Sequence, residues 1–170
     1  LCNEEGLKRI GADRRRCVRI AASVVRSFTH RRADEPHKSI GHLAALQAYE
    51  QAGVGPQDMH VAEVHDASAM GEIIQAENLG LAPLGGGGPA AERGEFTIGG
   101  RIPINPSGGL ESKGHPLGAT GIGQLYELVT QLRGEAGARQ VIGARHAIQE
   151  NGGGMQGVEE AALAIHILSK

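Results

Sequence analysis

The sequence predicts a layered α/β domain, with a mixed, mostly parallel five-stranded sheet covered by helices. Short runs of β-branched and small apolar residues alternate with stretches whose apolar residues recur at helical spacing. Strands separated by helices run parallel, because each crossover returns the chain to the same end of the sheet. The last two strands have no helix between them and are expected to close as a hairpin. The 27 glycines and only 2% aromatic residues suit a tight domain whose backbone approaches a ligand closely.

Taken in order, Cys17–Ser27 (CVRIAASVVRS) reads as a strand. His30–Lys38, with Pro36, is a polar connector. Ser39 is placed to cap a helix over Ile40–Ala52, where Leu43, Leu46 and Tyr49 share a face and Gly53 ends the run. A turn holding Gly55, Pro56 and Asp58 leads to a short strand, His60–Val64. Ser68–Asn78 is the second helix, with Met70, Ile73 and Ile74 at helical spacing and a closing turn at Gly80. Leu81–Gly100 reads as a long loop, Ile102–Ile104 as the third strand, and Asn105–Pro116 as irregular. Leu117–Arg133 is the third helix, with Ile122, Leu125, Leu128, Val129 and Leu132 on one face. Gln140–Ile148 is a strand, Glu150–Gly157 a Gly-rich turn, and Ala161–Leu168 the last strand.

At 170 residues the chain suits one domain, and its 40% hydrophobic content in periodic blocks argues against disorder. A net charge of −2 gives no footprint for nucleic acid, which needs a basic surface. Arg14-Arg15-Arg16 and the weaker His30-Arg31-Arg32 cluster read as solvated surface, although either lies open to a phosphorylated ligand. No apolar run approaches the roughly 20 residues of a membrane span, and no signal peptide is visible. Cys2 and Cys17 fit neither a zinc spacing nor CxxC. No metal site is expected, Cys17 is expected to be buried and inert, and a reducing, cytoplasmic setting follows.

Ligands of open α/β sheets bind where strands end and loops begin. Three such places are loaded with polar or Gly residues: His65-Asp66, Asn105–His115 and Glu150–Gly154. Gly108, Gly109 and Gly114 leave the middle loop with little bulk, and His115 precedes Pro116 at the mouth of the third helix. A helix start offers unpaired N–H groups and a positive dipole end. An imidazole held there can exchange a proton or donate to an oxyanion. Asp66 equally fits an N-cap for the helix from Ser68, and His65-Asp66 a structural capping pair. Glu150 is either a polar loop residue or, if buried beside His115, an acid–base carboxylate.

The segment NPSGGLESKGHPLGATG, Asn105–Gly121, resembles the signature of the thiolase superfamily in its lipid-transfer-protein (SCP2-thiolase) branch. His65-Asp66-Ala67-Ser68 resembles that branch's HDCF segment, and ENGGG, Glu150–Gly154, stands at its last motif. The likeness runs from about Gly11 to Lys170 and covers the C-terminal half of a family member. It implies a thiolase-like C-terminal domain in which His115 activates a nucleophilic cysteine and polarises a thioester oxygen, with His65 completing an oxyanion hole. It also implies an acyl-CoA substrate and no tightly bound cofactor. Gly108, Gly109, Gly114, Gly152 and Gly153 are the candidate CoA-thioester contacts.

The sequence departs from the pattern at Ala67 and Glu150, either of which would mark a second cysteine in family members. The nucleophilic cysteine belongs to an N-terminal half that this chain lacks, so residues 1–12 are expected to be the tail of a preceding domain or a linker. Acyltransferase chemistry on acyl-CoA carbon–carbon bonds is implied first. Retro-aldol cleavage of a steroid or lipid β-hydroxyacyl-CoA, or a non-catalytic partner role, are the alternatives. The expected partners are the missing half and further copies of the chain. Half of a two-domain subunit should leave an apolar helix face uncovered.

Overall fold

The computed structural model describes residues 1–170. In chain order it holds α1 (Glu4–Ile10), β1 (Arg19–Ser27), α2 (Ile40–Ala52), β2 (Val61–Glu63), α3 (Ala69–Asn78) and α4 (Gly87–Glu92). There follow α5 (Gly109–Lys113), α6 (Thr120–Arg133), β3 (His146–Gly153) and β4 (Ala162–Ser169). Short polar side chains start several helices by accepting otherwise unpaired backbone N–H groups. Asn3 takes that of Gly6 at 2.9 Å, Ser39 that of His42 at 3.2 Å, and Ser68 that of Gly71 at 3.1 Å. Gly53 and Gly134, at φ 70° and 75°, end α2 and α6 in the left-handed conformation that glycine adopts without strain.

The sheet has four strands in the order β1-β4-β3-β2. β4 lies antiparallel to both β1 and β3, and only β2 and β3 are parallel. The expected five strands, mostly parallel, are therefore corrected to four, mostly antiparallel. Alternation of helix and strand does not reveal that the last strand inserts between the first and the third.

The fifth strand fails for a local reason. Residues 102–104 make a single bridge, Ala62 with Ile104. The Ala62 N–H donates to the Pro103 carbonyl at 2.9 Å, but Pro103 has no N–H to extend a ladder. Asn105, at φ 50°, then turns the chain away.

Other boundaries shift as well. The expected tail 1–12 contains α1, the loop 81–100 contains α4, and the irregular segment 105–116 contains α5. α6 begins at Thr120 instead of Leu117, because Pro116–Ala119 forms a tight turn first, with the Ala119 N–H on the Pro116 carbonyl at 2.7 Å. β3 starts at His146 and runs on to Gly153, so the first half of the expected Gly-rich turn is strand. Gly152 and Gly153 pair with Leu163 and Ala162.

The sheet buries two faces. Against α2 and α3 lie Ile40, Ala44, Leu79, Ile148, Ile165 and Ile167. Against α6 lie Val61, Leu128, Leu132, Ala147 and Leu168. The apolar face expected of α6 is split. Leu128 and Leu132 are buried, while Ile122 is 69% and Tyr126 73% exposed. The buried side instead carries Gln124, Glu127 and Gln131. Each finds a partner: Gln124 the Glu150 carbonyl at 3.0 Å, Glu127 the Arg139 guanidinium at 3.0 Å, and Gln131 the Arg139 carbonyl at 2.8 Å. Burial of polar groups at this density requires such pairing. No helix is long and apolar enough to cross a membrane.

Ile165 of β4 is fully buried and Leu46 of α2 is 53% exposed. Truncating Ile165 to Ala removes core contacts and is expected to lower the unfolding free energy by about 2–5 kcal/mol. Leu46→Ala is expected to change it by about 0.5 kcal/mol or less. Denaturant titration of the two variants checks the burial pattern, and equal losses would contradict it.

Candidate active site

The parallel pairing of β2 with β3 sets the end of β2, Glu63, beside Gln149 in the middle of β3. His65 lies two residues past β2, and Glu150 lies within the last turns of pairing of β3. The His65 backbone N–H donates to Glu150 Oε2 at 2.9 Å. The loop after Asn105 crosses the same end and presents His115. The His65 and His115 rings meet edge to face, with centroids 4.8 Å apart and planes at 68°. Both imidazoles line a cleft of about 730 Å³, together with Ala67, Met70, Leu117 and Asn151. His115 stands ahead of α6, which begins at Thr120. It is tied to the helix start through Nδ1, 2.8 Å from Thr120 Oγ1.

The carboxyl of Glu150 is fully buried, and burial pushes its pKa up to about 8. The hydrogen bond from the His65 N–H opposes this rise, and the negative charges of Glu160 and Asp66 add to it. At neutral pH Glu150 is therefore mainly the uncharged acid. Burial likewise holds His65 below the usual histidine range, with His115 the next cause and the Gly152 backbone carbonyl opposing it. Three atoms here are buried without a partner: His65 Nδ1, Glu150 Oε1 and Asn151 Oδ1. Buried polar atoms left open in this way cluster at sites that complete their bonds with a ligand or water.

The candidate glycines divide. Gly152 and Gly153 line the cleft. A Cβ on Gly152 would lie 2.6 Å from Glu160 Cγ. Gly108, Gly109 and Gly114 are not among the lining residues and serve the backbone instead, at φ 97°, 61° and 83°. Gly109 packs on Asp66, where a Cβ would fall 1.9 Å from Oδ2. Asp66, 3% exposed, accepts the Leu110 N–H at 2.7 Å and so holds α5. The cap of α3 is Ser68, which corrects the expectation that Asp66 starts that helix. No cysteine lines the cleft. Cys2 is exposed, and Cys17 is half-buried just before β1 instead of buried within it.

Three contributors escaped the sequence reading: Thr120, Asn151 and Glu63. Thr120 and Asn151 were legible as neighbours of His115 and Glu150 in their motifs. Glu63 offered no signal beyond being a charge within an apolar strand.

A mixed sheet with two imidazoles and a neutral buried carboxyl at its strand ends defines an α/β domain equipped for proton transfer. The chain belongs to the thiolase C-terminal domain-like family, whose model matches residues 22–169. It is 45% identical over 159 residues to sterol carrier protein 2 of Oryctolagus cuniculus, covering 89% of this chain and 28% of that protein. It is 49% identical over 127 residues to an acetyl-CoA acetyltransferase of Methanothermobacter thermautotrophicus, covering 75% and 32%. Among solved structures, an Ltp2–ChsH2(DUF35) aldolase superposes with a TM-score of 0.70 at 23% identity, over 89% of this chain and 39% of that one. The chain thus spans about a third or less of the curated relatives it matches here.

Two outcomes follow. Gly109→Ala adds a side chain at φ 61° into the Asp66 carboxylate, and is expected to destabilise the fold by more than about 1 kcal/mol. Thermal unfolding at fixed pH measures it. Glu150 has an ordinary value of 4.5 and a folded value of about 8, so the folded state binds the extra proton between them. Its contribution to stability is therefore complete below about 4.5 and is lost as pH rises through about 8. Glu150→Gln is expected to flatten that fall, by up to about 1.4 kcal/mol per pH unit, in denaturant titrations run from pH 5 to 8.

Proposed function

We propose that this chain supplies the acid–base half of an active site that makes or breaks a carbon–carbon bond in an acyl-CoA thioester, in the manner of a thiolase-type acyltransferase. The observation that carries the proposal is the edge-to-face pair of His65 and His115 over the cleft. Two imidazoles there can donate hydrogen bonds to one thioester oxygen, and such donors stabilise an enolate most where water is excluded. His65, with its lowered pKa, serves as a neutral donor. Glu150, largely protonated at neutral pH, is a proton source beside them. The nucleophile that accepts the acyl group is assigned to the half of the enzyme outside this chain. The uncovered Ile122 and Tyr126 of α6 are the surface assigned to that half, and homo-oligomers of the complete subunit are expected. Gly152 and Gly153 are the glycines best placed to approach the thioester.

A second reading is favoured by one specific observation: no thiol lines the cleft, and the buried Glu150 carboxyl lies behind its wall, on the His65 N–H. Retro-aldol cleavage of a β-hydroxyacyl-CoA needs no thiol. A base removes the hydroxyl proton, and the new carbonyl forms as the Cα–Cβ bond breaks. The electron pair then moves onto the thioester oxygen, and an acid returns a proton to Cα. His115 and Glu150 match those base and acid roles.

The full-length protein, assayed with acetoacetyl-CoA and CoA and separately with a β-hydroxyacyl-CoA, distinguishes the two. Activity on the first alone supports acyl transfer, and activity on the second alone supports aldol cleavage. His115→Ala is expected to lower kcat by about 10²- to 10⁴-fold in whichever assay is positive. Undiminished turnover in that variant would remove His115 from the site.

A further inference from the structure

Glu63 is a carboxylate that the proposed chemistry does not use. It is the last residue of β2, and its side chain is wholly buried. Oε1 accepts the Ser107 N–H at 3.1 Å, and Oε2 accepts the Ser107 hydroxyl at 2.7 Å. The Lys113 ammonium, 3.8 Å from Oε2, donates to the same Ser107 hydroxyl. Ser107 opens the loop that ends at His115, and Lys113 closes α5 only two residues before it. Between Lys113 and His115 stands Gly114 alone, at φ 83°.

We infer that Glu63, Ser107 and Lys113 form a clamp that joins the two ends of the His115 loop to the rim of β2 and positions the imidazole against His65. This rests on the assignment of His115 to the active site, but the clamp itself is a matter of geometry. Asn105 holds the start of the same segment through the Val64 N–H and Asp66 its middle through the Leu110 N–H, so Glu63 is the group that ties Ser107 and Lys113, the residues flanking α5, to β2. Burial pushes the Glu63 pKa up to about 7, while the Ser107 hydroxyl and N–H and the Lys113 charge favour its carboxylate, so removing any one of them weakens the node. The other charged groups facing Glu63 are Glu127 of α6 and Arg139, which pair with each other at 3.0 Å. Lys113 is therefore the cation that answers the Glu63 carboxylate directly. All three clamp residues are positioning residues, acting through His115.

Lys113 is the useful handle, because its side chain is 41% exposed and can be changed without opening the core. In the full-length protein, Lys113→Met is expected to shift the His115 imidazole resonances in ¹H–¹³C spectra and to speed amide exchange across residues 108–115. It is also expected to lower kcat about ten- to a hundredfold, as a misplacement on the ångström scale does, with KM within about twofold. Lys113→Arg restores all three. Adding Lys113→Met to Glu63→Gln is expected to cause no further loss, since coupled residues are non-additive. If the His115 resonances and loop exchange stay as in the wild type while Lys113→Met remains folded, the clamp is overturned, whatever the activity. Altered resonances with unaltered turnover uphold the clamp and count against the catalytic role of His115 instead.

Discussion

The pairing of β2 with β3 is the constraint on which the site depends. The two strands share only three paired positions, Val61 with Ala147 through Glu63 with Gln149. Yet it is their one parallel contact in a sheet otherwise antiparallel that sends both chains out at the same edge. The chain leaves β2 beside the middle of β3, and the backbone of His65 meets the side chain of Glu150 across 85 residues of sequence. A register slip of one residue would point Glu150 at the opposite face of the sheet and exchange it with Gln149. Gln149 now bonds Gln124 under α6 at 2.7 Å, a place suited to an amide and not to a carboxyl.

From that rim the chain builds outward with side chains that satisfy backbone groups. Asn105 Oδ1 takes the Val64 N–H at 2.8 Å, Glu63 takes Ser107, and Asp66 takes Leu110. The three contacts fall on consecutive stretches of the same loop. They explain why a segment rich in glycine has a defined course: Asn105 accepts from the chain just past β2, and Glu63 and Asp66 accept from the loop. Glycine is required where the fit is closest, at Gly109, since any larger residue collides with the carboxylate that holds the loop. The glycines here therefore serve two separate purposes. Gly108, Gly109 and Gly114 let the loop turn, and Gly152 and Gly153 leave room in the cleft.

What was legible in the sequence follows the range of the forces involved. Helix α2 was readable because its cap and apolar spacing are local, α3 from its apolar spacing, and the junctions at His65 and His115 because turn residues mark them. The order of strands was not readable, since nothing local distinguishes β4 as a neighbour of β1 from β4 as an edge. The third strand misled because Ile102–Ile104 has strand composition, while its failure lies in a missing N–H at Pro103 and a left-handed Asn105. The face of α6 misled in a related way. Apolar residues were assumed to point inward, but Gln124 and Gln131 are drawn under the helix by carbonyls that need donors, leaving Ile122 and Tyr126 outside.

The electrostatics of the site limit what this chain can contribute. Glu150 has no cation beside it. Its neighbours in charge are Glu160 and Asp66, both negative, and its carboxyl is fully buried. Every one of these factors favours the protonated acid, and only the His65 N–H favours the anion. His65 is under the mirror constraint, for burial and the second imidazole both disfavour its cation. Burial therefore favours the neutral forms of both Glu150 and His65. Neutral donors can stabilise a developing oxyanion without first being neutralised by it, and a carboxyl with a pKa of about 8 gives up its proton without a large free-energy gap to an acceptor of similar strength. On the proposed function, a buried carboxyl in place of a thiol favours moving protons over forming a covalent intermediate, with Glu150 as the acid and the two imidazoles as hydrogen-bond donors.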